Sequence, residues 1–201
     1  MRKVVAGLLI SLDGVVESPD QWGWSQYMND EMTTRIVAGI AQADTVLLGR
    51  RTYLGFAELW PNQSSDVPMA DFLNNSPKYV VSATLDRLEW QPATLVKGDL
   101  AEELRKLKEQ PGKNIQIPGS PTLVRSLLRD GLLDELSLGI CPVVVGSGMR
   151  LFDGITDQVS LKLLDSTTLS TGVLEVTYQP VQVGRRVPEP PISFPNAAAR
   201  K

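Results

Sequence analysis

NIQIPGSPTLVRSLLRDG, residues 114 to 131, reads as a short strand, a tight turn and a helix in immediate succession. Ile115 and Ile117 give β-branched strand character, Pro118 and Gly119 break the strand, Ser120 suits an N-cap, and Pro121 suits the first helical position. Leu123, Leu127 and Leu128 then fall on one helical face, which predicts an amphipathic helix packed on a buried strand. A Gly-Ser turn at a helix start lets backbone N–H groups approach a ligand closely, and the helix dipole there favours an anion. Phosphate suits such a turn. An ordinary βα turn with good caps carries the same residues, so the motif needs support from the rest of the chain.

That support comes from similar turns on both sides. Arg2 to Leu12 is a near-continuous apolar run, as expected of a central strand covered on both faces, and it ends in Asp13-Gly14. The pair is either a plain turn or a carboxylate delivered to a ligand crevice at a strand end. Thr45 to Leu48 predicts a short buried strand leading into Gly49-Arg50-Arg51-Thr52-Tyr53, a second strand-to-helix turn. Two arginines at a helix start oppose its dipole, by roughly a few tenths of a kcal/mol, and an anion would relieve that conflict. Lys78 to Ser82 predicts a third strand, left through Ser82-Ala83-Thr84, whose two hydroxyls can bond phosphate or cap the turn.

Between these turns, Asn29 is a candidate N-cap for a helix over about residues 29 to 42, with Asp30 and Glu31 in its first turn and Met32, Ile36, Val37 and Ile40 at helical spacing. The loop from Val15 to Met28 carries Trp22, Trp24 and Tyr27 without helical periodicity; they either pack over the sheet or stack on a planar ligand. Pro68 to Asn75 predicts a short helix, Thr94 to Lys97 a fourth strand, and Leu100 to Lys108 a polar helix before the Gln110-Pro111-Gly112 breaker. After Gly131 the pattern becomes all β, with a long strand over Glu135 to Val145 and a final hairpin from Leu161 to Thr168 and Gly172 to Gln179. Gly146-Ser147-Gly148 is not a dinucleotide fingerprint, because Leu151 stands where the third glycine is required and no helix pattern follows.

The chain of 201 residues, 42% hydrophobic and 21% charged, has the size of one domain with a sizeable core. We expect that domain over residues 1–180 and a Pro/Ala-rich disordered tail over 181–201. A net charge of −3 offers no field for nucleic acid or an anionic membrane, and Val4 to Ile10 is too short to span a bilayer. A cytoplasmic protein with neither partner is expected. The single cysteine, Cys141, sits in an apolar run as a structural thiol. The absence of histidine excludes Ser-His-Asp triads, Cys-His pairs and His-based zinc sites, and no Asp/Glu cluster has the spacing of a calcium loop; no metal is expected.

Taken in order, Ser11-Leu12-Asp13-Gly14, Leu48 to Tyr53, Ser82-Ala83-Thr84, Gly119 to Leu123 and Pro142 to Gly148 with Leu151-Phe152 resemble the dihydrofolate reductase-like superfamily. The similarity is greater to the reductase domain of bifunctional riboflavin-biosynthesis proteins and its stand-alone bacterial relatives. It covers about residues 1 to 180. The resemblance implies an α/β three-layer sandwich with a mostly parallel central sheet and an antiparallel C-terminal hairpin, NADPH across the carboxyl ends of the strands, a small planar or heterocyclic substrate, and a homodimer. It places Gly49, Arg50, Arg51 and Thr52 at the cofactor phosphates, Ser82 and Thr84 near the adenosine half, and Gly119, Ser120, Pro121, Thr122 and Leu123 around the pyrophosphate. It places Asp13, Trp22, Trp24 and Tyr27 beside nicotinamide and substrate.

The implied activity is an NADPH-dependent reductase of the riboflavin type, with a non-catalytic nucleotide- or drug-binding module as the alternative. Three departures bear on it. Ser120 replaces the second glycine of a pair, Ala83 stands where many members carry a basic residue for the ribose 2′-phosphate, and the carboxylate that true dihydrofolate reductases present from the first helix has no secure match, Asp30 being near. The deaminase partner of bifunctional members needs His/Cys zinc ligands, so a bifunctional enzyme is not expected. Asp13 and Asp30 are the candidate proton sources, with Asp13 ranked first.

Overall fold

The computed structural model describes residues 1–181. Eight strands form one sheet: β1 (Val4–Ser11), β2 (Ala43–Gly49), β3 (Lys78–Val81), β4 (Ala93–Val96), β5 (Asn114–Pro118), β6 (Glu135–Cys141), β7 (Ser160–Thr168) and β8 (Leu174–Val181), in the spatial order β4-β3-β2-β5-β1-β6-β8-β7. β1 to β6 pair in parallel, while β8 runs antiparallel to β6 and β7 antiparallel to β8. The helices are α1 (Asp30–Ile40), α2 (Arg50–Leu59), α3 (Ala70–Asn75), α4 (Leu100–Glu109) and α5 (Pro121–Arg129).

Alternation along the strands sorts the helices into two layers. Leu8 and Ile10 of β1, Leu47 of β2 and Ile117 of β5 pack with Leu104 and Leu107 of α4 and with Leu123, Val124, Leu127 and Leu128 of α5. On the opposite face, Val46 and Leu48 of β2 pack with Tyr53 of α2 and Leu73 of α3. Leu9 of β1 joins the cluster around Met32 of α1. This is the expected three-layer sandwich with a mostly parallel sheet and an antiparallel hairpin. Because the first six strands are parallel, the chain leaves all of them at one edge, where the predicted ligand turns gather.

Some boundaries differ from expectation. The long strand ends at Cys141 rather than Val145, because Pro142 has no N–H for the ladder and the Val143 N–H turns back to the Cys141 carbonyl at 2.8 Å. The aromatic loop contains two 3-10 turns, Pro19–Trp22 and Trp24–Tyr27. β8 continues to Val181, so the domain takes in the first residue assigned to the tail, and residues 182–201 lie outside the described residues. Among the described residues no helix is long and apolar enough to cross a membrane, and no three His, Cys, Asp or Glu side chains gather as a metal site would need.

One buried cation seats the start of β3. Lys78 is fully buried, and its Nζ donates to the carbonyls of Leu73 (2.8 Å), Ser76 (3.0 Å) and Asn74 (3.3 Å) while lying 4.4 Å from the Trp90 ring centroid. The side chain thus satisfies carbonyls that the C-terminus of α3 leaves open. Burial pushes its pKa down to about 8.

Candidate functional site

The register aligns the strand ends into a row. Gly49 of β2 stands opposite Val81 of β3, and Val81 opposite Val96 of β4. Across β5, the Gly119 N–H bonds the Gly7 carbonyl of β1 at 3.1 Å, so β1 runs on past the end of β5. The turns at Gly119, Gly49, Ser82 and Lys97 therefore lie side by side over three strand spacings, about 14 Å. Such a row suits an extended ligand rather than a compact one.

Two helices open onto this row without caps of their own. α2 begins after Gly49 and α5 after Ser120, and neither N-cap residue makes a side-chain capping bond. α1 and α4 are different: Asn29 caps α1 by accepting from the Met32 N–H, and Asp99 caps α4 by accepting from the Ala101 and Glu102 N–H groups. The open helix starts belong to adjacent strands and touch, since a Cβ built on Gly119 would lie 3.7 Å from Thr52 Cγ2 and one on Gly49 equally far from Ser120 Cβ. Two convergent helix starts without side-chain caps make a candidate anion site. Arg50 and Arg51 are exposed beside it, and neither is in an ion pair among the described residues.

Several expectations change here. Ser120 occupies the N-cap position but does not cap α5; its backbone is left-handed (φ 57°, ψ 55°), and its Oγ accepts instead from the Gly49 N–H at 3.0 Å. Ser82 is buried, and its hydroxyl accepts from the Thr84 N–H (3.2 Å) and the Leu85 N–H (3.1 Å), so it shapes the turn while Thr84 stays exposed. Trp22 and Tyr27 pack on the cluster of Met32, Cys141, Leu169 and Val173, and Trp22 Nε1 donates to the Glu17 carbonyl at 3.1 Å. Packing is thus the contact that holds those two half-buried rings. Trp24 is half-buried and lies outside that cluster.

Asp13 is placed at the end of β1 as expected, but its carboxylate is occupied. Oδ1 accepts from the Val145 N–H at 3.0 Å and from Ser11 Oγ at 2.7 Å, and Oδ2 accepts from the Gly146 N–H at 2.9 Å. The Val145 N–H, the Ser11 hydroxyl and the Gly146 N–H, in that order, hold its pKa well below the usual carboxylate range. Of the two parts open to Asp13, orienting a substrate or relaying a proton, three donors that favour the ionised carboxylate weigh toward the first. Its observed task is to pin the Val143–Gly148 segment against β1. Asp30 opens α1 on the surface, and its carboxylate makes no hydrogen bond or ion pair among the described residues, whereas Glu31 accepts from both the Ser170 N–H (2.8 Å) and hydroxyl (2.7 Å).

Sequence reasoning passed over Arg150 and Glu17. Arg150 donates from Nε to the Asp13 carbonyl (3.0 Å) and from Nη2 to the Gly146 carbonyl (3.0 Å), and Glu17 Oε2 accepts from the Met149 N–H (3.1 Å). The Arg150–Asp13 and Glu17–Met149 partners are more than 130 positions apart, and no local pattern announces them.

Comparison with known proteins agrees with this architecture. The family model described as the RibD C-terminal domain matches residues 2–174. The uncharacterized protein YyaP of Bacillus subtilis is 30% identical over 191 residues, covering 88% of this chain and 94% of that protein. Among solved structures, a putative riboflavin biosynthesis protein from Shewanella sp. PV-4 superposes with a TM-score of 0.73 at 22% identity, covering 90% of this chain and 99% of the other. A dihydrofolate reductase from Enterococcus faecalis, solved with NADP(H), shares the fold at a TM-score of 0.53 and 15% identity, covering 89% and 96%.

Proposed function

The chain belongs to the RibD C-terminal-domain family, and from that premise we propose that it is an NADPH-dependent reductase acting on a small planar or heterocyclic substrate, of the riboflavin type rather than a true dihydrofolate reductase. The observation that carries the reading is the pair of uncapped helix starts, α2 and α5, meeting beside two arginines that make no ion pair among the described residues. The residues fit a dinucleotide. The N–H groups of Arg50 to Thr52 and of Thr122 and Leu123 would hold the pyrophosphate, Gly49 and Gly119 allow close approach, Arg50 or Arg51 would meet the 2′-phosphate, and Thr84 would lie at the adenosine end.

Bound there, NADPH supplies hydride, and the protein binds and orients it. Asp13, through Val145 and Gly146, fixes the segment that walls the nicotinamide end, so its part is positioning. Asp30, or water, supplies the accompanying proton. Trp24 is the ring free to stack on a planar substrate. We also propose a homodimer through the C-terminal hairpin, where Leu163 and Leu164 of the outermost strand and Val181 are exposed.

Titrating the purified protein with NADPH and NADH by nicotinamide fluorescence tests the reading, and no binding of either at millimolar cofactor ends it. The commitment of Asp13 to backbone donors favours one competitor, a nucleotide-binding module without catalysis. Cofactor that binds but is never oxidised across pterins, ribosylaminopyrimidines, quinones and carbonyls would support that competitor.

A further inference from the structure

β5 lies inside the sheet, between β2 and β1, where a parallel strand covered on both faces is expected to be apolar throughout. Gln116 interrupts it. Ile115 and Ile117 enter the core with α4 and α5, so Gln116 projects from the opposite face, the face of Val5, Gly7 and Leu9 of β1. Gln116 is half-buried, and its carboxamide makes no hydrogen bond among the described residues. It pairs with Val5, yet its Nε2 lies 3.0 Å from where a Cβ on Gly7 would stand, so the side chain leans two residues toward the carboxyl ends of the strands, to the level of Pro118. No positive φ calls for glycine at position 7; what that glycine supplies is room for the amide. The helices leave the same strip open. On this face α2 and α3 pack with Val46 and Leu48 of β2, and α1 packs with Leu9 and Cys141, while Val5 between them is half-buried and belongs to neither cluster. An unpaired carboxamide in a central strand is a local conflict, and it lies beside the Gly7 carbonyl that holds the Gly119 turn.

We propose that Gln116 is the specificity-determining residue of the substrate site: its carboxamide reads a ring edge that presents an N–H beside a C=O, as a ring amide does, and so selects nitrogen heterocycles of that kind over quinones and simple carbonyls. The inference rests on the reductase reading above and narrows its substrate. The carboxamide oxygen accepts from the ring N–H while the carboxamide nitrogen donates to the ring carbonyl, a pairing that an apolar side chain at this position cannot offer. The proposed phosphate contacts are at the helix starts after Gly49 and Ser120, so Gln116 serves the substrate and not the dinucleotide phosphates.

The probes are pterin, which carries such an edge, pterin methylated at its ring-amide nitrogen, which keeps the ring and loses the N–H, and menadione, which has no ring amide. Their Kd values are measured by fluorescence on the NADP+-loaded protein for the parent, Gln116→Leu and Gln116→Met, the second variant matching the length of the parent side chain, with Kd for NADPH and Tm alongside. The parent should prefer pterin to its methylated form by about tenfold or more, as two hydrogen bonds are worth, and both variants should erase that preference while leaving menadione and NADPH affinity in place. Their Tm should equal or exceed the parent's, because an apolar residue continues the run of β5. A residue with only a structural part would lower Tm in the variants and leave the ratio of pterin to methylated pterin untouched, which overturns the inference. A parent that binds NADPH but does not distinguish the two pterins, or binds neither, overturns it too, while the functional reading stands. A parent that binds no cofactor overturns both.

Discussion

Arg50 and Arg51 are adjacent in sequence, yet helical geometry sends them in different directions, so the proposed 2′-phosphate contact falls to only one of them. Successive helical residues are about 100° apart around the axis. Tyr53 of α2 points into the sheet at 2% exposure, and Thr52 faces β5, where Gly119 lies against its methyl group. Counting back from Tyr53, Thr52 lies about 100° round on the β5 side, Arg51 about 160° away and so directed off the sheet, and Arg50 about 60° away on the opposite flank. That flank faces β3 and the Ser82–Thr84 turn. Arg50→Ala should therefore weaken NADPH specifically. A charge-assisted bond contributes roughly 1.5–3 kcal/mol, or about ten- to a hundredfold in affinity, and an exposed guanidinium at physiological salt belongs near the lower end. The assay is the same fluorescence titration of NADPH and NADH at two ionic strengths. Arg50→Ala should cost NADPH about tenfold, NADH little, and the NADPH loss should shrink at high salt. Equal losses for both cofactors, or a larger NADPH loss in Arg51→Ala, would refute the helical placement.

Asp13→Asn should leave Kd for NADPH nearly intact and lower kcat for whichever substrate is found, because one carboxamide cannot accept from Val145, Gly146 and Ser11 together; unchanged turnover would remove Asp13 from the mechanism. Asp30→Asn should reduce turnover with an altered pH profile, and an unaltered profile would leave water as the proton source. Trp22→Ala should destabilise the fold, while Trp24→Ala should leave Tm in place and raise KM; urea melts and steady-state kinetics on the pair distinguish the two. Lys78→Met should cost about 2–4 kcal/mol at pH 7 by orphaning the carbonyls at the end of α3. The Lys78 pKa is about 8 when folded and 10.5 unfolded, so between those values the unfolded chain holds more protons and this group's contribution favours folding as pH rises. The stability gap between parent and variant should widen across that window by up to about 3 kcal/mol, and a constant gap would show that the carbonyls keep the ammonium charged.

The sequence by itself determined the elements and their kind, because those depend on neighbours a few residues away. Alternating β-branched runs, the Pro118-Gly119 break and the leucines at helical spacing in α5 specify a strand, a turn and a helix wherever they occur. Local chemistry also named the turns that gather at one edge, since parallel strands put every βα turn on the same side. The partners of the polar groups were another matter. Ser120 carries the local signature of an N-cap, but a left-handed backbone and the proximity of Gly49 redirect its hydroxyl. Asp13 reads as a free acid at a strand end until the segment after β6 folds back and occupies both oxygens. Trp22, Trp24 and Tyr27 are alike as loop aromatics, and only packing against the cluster of Met32 and Cys141 separates Trp22 and Tyr27 from Trp24, which lies outside it. A hydrogen bond or a packed ring depends on distances that chain topology sets between residues far apart in sequence, so these assignments waited on the tertiary structure.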